Sequence, residues 1–203
     1  LSLPHSSVGF RSLEAAGLRG EWVHPKGGYD TGRVVLYLHG GGYFFCSPRT
    51  HRPVTTALAR LLGAKTLALQ YRLAPEHPYP AALEDALTAY SWLLDQGVDP
   101  SRIVVAGDSA GGGLALATLV MLRDLGFPLP AACACFSPWT DLAATGASLD
   151  QNDLHCAMFS AAGIRRARML YVGSADPCDP RISPLYADRS EEHTSEVQSP
   201  CNL

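Results

Sequence analysis

The stretch Arg102-Ile103-Val104-Val105-Ala106-Gly107-Asp108-Ser109-Ala110-Gly111-Gly112-Gly113-Leu114 decides how this chain is read. An apolar run ends at a serine flanked two residues away on each side by glycine, and a long Ala/Leu-rich segment follows. That is strand, sharp turn, helix. A turn this tight forces the serine into a strained backbone conformation, and a side chain at Gly107 or Gly111 would collide with it. Upstream, Val34-Val35-Leu36-Tyr37-Leu38 runs into His39-Gly40-Gly41-Gly42-Tyr43, a second loop able to present bare backbone N–H groups. A nucleophile loop and an oxyanion loop, each at a strand end and in that order, point to acyl transfer.

The chemistry sets the roles. A serine hydroxyl is a poor nucleophile at neutral pH and needs both a base and donors for the developing oxyanion. Ser109 would attack an ester carbonyl. Its helix starts immediately after it, so the Ala110 N–H and the positive dipole end lie beside the reacting centre. Gly40 and Gly41 would supply further donors, because glycine lets the backbone curve close to substrate. Losing one such donor typically costs about 3 kcal/mol of transition-state stabilisation. Each motif alone is weak, since glycine and serine are common in turns. A phosphate-binding loop would need Lys-Ser/Thr after its glycines, and Gly113 is followed by Leu114-Ala115. Asp108 is expected to brace the elbow. Tyr43, Phe44 and Phe45 either line the pocket or pack in the core.

Working outward, apolar runs alternate with helical patterns, which implies an α/β fold with a largely parallel sheet covered on both faces. Expected strands are Glu21–His24, Val34–Leu38, Lys65–Gln70, Ile103–Ala106 and Ala131–Phe136, with Lys26–Asp30 as the turn between the first two. Helices are expected from Thr50/Pro53 to Leu62, from Pro80 with Leu83, Leu87, Tyr90 and Leu94 on one stripe, and from Ala110 to Leu125. Weaker periodicity over 142–170 suggests helices lying over the site.

The bulk properties bound the rest. At 203 residues one α/β domain with a buried sheet is expected, and the net charge of −3 gives no reason to expect nucleic acid or an anionic membrane as partner. No apolar stretch has the length of a membrane span, no leader is visible, and the cytoplasm is the default location. The six cysteines lack CxxC spacing; Cys133 and Cys135 fall on one side of a strand and are expected to be reduced and mostly buried, with no metal site.

Four motifs in order resemble the hormone-sensitive lipase family of α/β-hydrolases: His39–Tyr43, Tyr71–Ala82, Gly107–Gly112, and Ser137-Pro138-Trp139-Thr140-Asp141-Leu142. The similarity spans about Trp22 to Asp188. It implies a carboxylic ester hydrolase of the serine esterase or lipase type, acting on short- to medium-chain esters without a cofactor, beneath a helical cap. It makes Ser109 the nucleophile, assigns Gly40, Gly41 and Ala110 to the oxyanion hole, and marks His39 as a shaper of the oxyanion loop rather than the base. Gly42, Gly107, Asp108 and Gly111 support the motifs. Rival readings are an amide or arylacetamide deacetylase and a pocket that only binds.

One departure is serious. The family's acid and base histidine lie C-terminal to everything that matches. His193 is not assigned to the triad, and His77 and His155 read as structural. Asp176, Asp179 and Asp188 read as turn residues beside prolines, and Arg72, Glu76 and Glu84 as a possible brace. Residues 1–188 thus read as a partial α/β-hydrolase domain. Arg189–Leu203 reads as the in-frame translation of a sequencing adapter. The chain as it stands is expected to be inactive or nearly so.

Overall fold

A computed structural model describes residues 8–26 and 31–188; the expected turn at 27–30, His193 and the adapter-like tail lie outside the described residues. Among the described residues, six strands form one sheet in the order β1-β2-β4-β3-β5-β6. They are β1 (Val8–Ala15), β2 (Leu18–Pro25), β3 (Val34–Leu38), β4 (Lys65–Leu69), β5 (Ile103–Asp108) and β6 (Ala132–Phe136). The helices are α1 (Arg52–Leu62), α2 (Ala81–Asp95), α3 (Ala110–Asp124), α4 (Ala147–Gln151) and α5 (Ala161–Val172).

The four strands from β4 to β6 pair in parallel, as the long crossovers between them require. The outer part differs from the sequence expectation. β1 was not anticipated; it pairs antiparallel with β2, which pairs antiparallel with β4. The hairpin closes through two residues, Ala16 and Gly17, with φ of 53° and 76°. Positive φ at both is the twist-matched two-residue turn, normally signalled by Asn-Gly or Asp-Gly.

Period-two alternation divides the core. Leu36 and Leu38 face the cluster that holds Leu83, Tyr90 and Leu114 of α2 and α3, whereas Val35 and Tyr37 join the smaller cluster under Leu58 of α1. β3 is buried throughout because both faces are covered. Arg52 of α1 donates to both oxygens of Glu21 on β2, at 2.8 and 2.5 Å, and lies over the Phe10 ring, fastening the hairpin to the helix layer.

Candidate active site

Strand register builds the site. β3 and β5 are neighbours in which Leu38 lies opposite Gly107, so His39–Gly42 and Asp108–Ser109 leave the sheet side by side. The chain from β3 passes through α1 towards β4, and the chain from β5 passes through α3 towards β6, on the other side. Such a reversal opens a crevice at the carboxyl ends of the strands.

Ser109 has φ 51° and ψ −120°, a positive φ that costs a non-glycine residue of order 1–3 kcal/mol. The surroundings hold it there. Its N–H donates to the Phe136 carbonyl at 2.9 Å, and its own carbonyl accepts from Trp139 at 2.8 Å and Gly113 at 3.1 Å. A Cβ on Gly107 would run into the Gly111 carbonyl, and one on Gly111 would run into the carbonyls of Leu38 and His39. The glycines are therefore obligatory for contact between the elbow and the β3 end. Ser109 is half-buried, at the N-terminal end of α3.

The His39–Gly42 loop, the candidate oxyanion loop, is fixed one peptide at a time. The Tyr71 hydroxyl donates to the His39 carbonyl at 2.6 Å. A trans amide points its C=O and N–H in opposite directions, and the following Gly40 N–H donates to Asp108 Oδ1 at 2.9 Å. His39 Nδ1 lies 2.7 Å from the Gly40 carbonyl, so the ring holds that carbonyl and turns the Gly41 N–H the other way. Gly41 and Gly42 have φ of 118° and 60°. Among the described residues, the N–H groups of Gly41, Gly42 and Ala110 have no protein acceptor. The expectation for Gly40 needs correction: its N–H is committed to Asp108, while Gly42, expected only as support, carries a free donor.

Asp108 is the hub joining the two loops. It accepts from the Tyr37 hydroxyl at 2.6 Å as well as from Gly40, and its Oδ2 faces His51 Nε2 at 3.4 Å. Burial pushes the carboxyl up, but the hydrogen bonds from His51 and Tyr37 outweigh it and hold the pKa below the usual value. The same bond to Asp108 raises the His51 pKa against the pull of burial. His39 is driven the other way. It is 1% exposed and stacked on Tyr71 at 4.3 Å, and burial lowers its pKa to about 4, the Gly40 bond resisting and nearby His51 assisting. His39 is thus a neutral ring that shapes the loop. Tyr37, His51 and Tyr71 were not anticipated, since their partners lie far along the chain and carry no local signal.

The remaining expectations sort cleanly. Tyr43 is core, 1% exposed and stacked on Tyr171 of α5 at 3.7 Å, whereas Phe44 and Phe45 stay exposed beside the loop. The helices expected over 142–170 exist as α4 and α5, and α5 docks on the oxyanion loop through Tyr171. His77 and His155 are exposed. Asp176 and Asp179 accept from backbone N–H groups two residues on, as turn residues do. Arg72 pairs with Glu84 and Asp85, not Glu76; Asp85 also accepts the Arg72 N–H at 2.7 Å. Among the described residues the cysteines are less buried than expected: Cys46, Cys133, Cys135 and Cys156 are half-buried and Cys178 is exposed. Among the described residues, no side chain accepts a hydrogen bond from Ser109, and no helix is long and apolar enough to cross a membrane. A cavity of about 300 Å³ lies at the other end of the sheet, between Arg33, Lys65 and Arg102.

Residues 35–199 match a family described as having the α/β-hydrolase fold. The chain is 46% identical, with a TM-score of 0.87, to the crystal structure of an esterase from the bacterial hormone-sensitive lipase family, covering 92% of this chain and 63% of that one. The chain belongs to the hormone-sensitive lipase family of α/β-hydrolases. Among curated members it is 49% identical over 168 residues to an acetyl-hydrolase of Streptomyces hygroscopicus, covering 83% of this chain and 56% of that protein. It is 36% identical over 183 residues to an esterase of Acinetobacter venetianus, covering 90% of this chain and 60% of that protein. The chain therefore spans somewhat over half the length of these relatives.

Proposed function

We propose that this chain carries the nucleophile and oxyanion hole of a carboxylic ester hydrolase that works through an acyl-enzyme. One observation carries the reading. Ser109 sits in a left-handed elbow locked against the β3 loop, and on these two adjoining loops the N–H groups of Gly41, Gly42 and Ala110 have no protein acceptor among the described residues. Ser109 Oγ attacks the ester carbonyl, and the oxygen becomes negative where those donors and the α3 N-terminus converge. Collapse of the tetrahedral intermediate expels the alcohol, and water then releases the acid from Ser109. His39 is unsuited as base, because its Nδ1 is bound to the loop and burial keeps it neutral. His51 is occupied by Asp108. With both of these rings engaged, the reading takes the base and its acid partner from outside the described residues. The acetyl-hydrolase and esterase names of the relatives support short- to medium-chain esters as substrates.

Stopped-flow hydrolysis of p-nitrophenyl acetate and butyrate by the full-length protein tests this. A burst of p-nitrophenol equal to the enzyme concentration, absent in Ser109→Ala, is expected. Ligand binding without turnover would favour a receptor-like homologue, and turnover of anilides over esters would favour an amidase.

A further inference from the structure

Cys133 and Cys135 alternate with Ala134 on β6, so both thiols point to the α2/α3 side, packed against the larger core cluster, while Ala134 joins the smaller one. Their Sγ atoms are 3.5 Å apart, and Cys135 Sγ also reaches the Gly112 carbonyl at 3.6 Å, in the first turn of the nucleophile helix. Both side chains are half-buried. We propose that Cys133 and Cys135 form a peroxide-sensitive dithiol that closes to a disulfide and thereby loosens the Ser109 elbow.

The chemistry balances with hydrogen peroxide as oxidant. The Cys135 thiolate attacks the peroxide, the O–O bond breaks, and one oxygen leaves as water while Cys135 becomes a sulfenic acid. Cys133 sulfur then attacks that sulfur, the S–S bond forms, the S–O bond breaks, and a second water leaves with the Cys133 proton. Two thiols lose two electrons, which the peroxide takes up. The hydrogen bond from Cys133 outweighs burial and holds the Cys135 pKa below the ordinary thiol value, favouring it as the attacking thiolate.

Geometry makes the product labile. Residues two apart on an extended strand have Cα atoms about 6.6 Å apart, close to the upper limit of about 6.8 Å for a disulfide. Closure must therefore contract or twist β6 locally, and strained disulfides of this kind are the readily reduced ones. The strain falls where it matters. Cys135 would leave Gly112, and the next residue, Phe136, accepts the Ser109 N–H at 2.9 Å. A shift of about 1 Å at a catalytic group can cost about a hundredfold in rate.

The effect on turnover rests on the esterase reading; bond formation does not. The full-length protein is treated with hydrogen peroxide and followed by intact and peptide mass spectrometry, ester hydrolysis and amide hydrogen exchange. Loss of two hydrogen masses, mapped to the peptide containing 133–135, is expected. It should come with a fall in kcat/KM of about tenfold or more, faster exchange at the Ser109 amide, and recovery with a dithiol reductant. Cys133→Ser should keep its turnover under the same treatment. Sulfinic acid or no change at these cysteines would overturn the proposal, as would a disulfide that alters neither Ser109 exchange nor turnover. Absence of turnover in the reduced protein would sink the esterase reading alone, since mass and exchange still decide the dithiol.

Discussion

Lowering the pH should unlock the oxyanion loop through His39. Its ordinary pKa of 6.5 falls to about 4 in the fold, chiefly because the ring is buried against Tyr71. Between those values the unfolded chain binds a proton that the folded chain refuses, so stability falls as the pH falls. The gap of about 2.5 pH units, at about 1.4 kcal/mol each, corresponds to about 3 kcal/mol lost between pH about 6.5 and about 4. His51 acts with the opposite sign: its raised pKa adds stability that is complete below its unfolded value and is lost as the pH rises through its folded one. Carboxylates also weaken the fold in acid, so the informative quantity is a difference between proteins. Urea unfolding of the full-length protein and of His39→Asn, at pH 7 and pH 4.5, supplies it. His39→Asn should be less stable at pH 7, having lost the stacked ring, yet lose about 2–3 kcal/mol less than the parent on acidification. Equal losses in both proteins would refute the buried neutral histidine and the loop geometry derived from it.

Other perturbations give separate expectations. Gly111→Ala should cost about 2–3 kcal/mol in thermal or chemical unfolding, because its methyl meets two backbone carbonyls that cannot rotate away. Asp108→Ala should lower kcat of ester hydrolysis by at least about tenfold while leaving KM less affected, since it frees the Gly40 amide and uncouples the two loops. Glu76→Ala should change stability by less than about 0.5 kcal/mol, whereas Asp85→Ala should cost about 1 kcal/mol through the Arg72 N–H and guanidinium bonds. The 203-residue chain alone should give only trace ester turnover, because no described histidine reaches Ser109; robust Ser109-dependent turnover would contradict that.

The serine elbow and the glycine loop were legible because their signals are local. β3, β5 and α3 announce themselves through apolar runs ending in glycine loops, and the elbow glycines have one steric use each. What escaped depended on chain crossings or unusual turn residues. The β1–β2 hairpin hides because Ala16 takes a positive φ that alanine rarely adopts. Asp108 was expected as a brace, but its partners Tyr37, Gly40 and His51 come together only through the β3–β5 register and the placement of α1. Gly40 was read as an oxyanion donor by its place in the triple glycine. Only the carbonyl pinned by Tyr71 reveals that its N–H faces Asp108. Glu76 and Glu84 were the expected partners of Arg72; Glu84 does pair with it, but the start of α2 brings Asp85 rather than Glu76 to the guanidinium.

The most direct measurement is a crystal structure of the full-length protein after reaction with a fluorophosphonate. We expect phosphorus bonded to Ser109 Oγ, with the phosphoryl oxygen within hydrogen-bond distance of the N–H groups of Ala110, Gly41 and Gly42, and Gly40 still held by Asp108. Phosphorus on another residue, or a phosphoryl oxygen turned away from those three amides, would contradict the shared crevice on which the esterase reading stands.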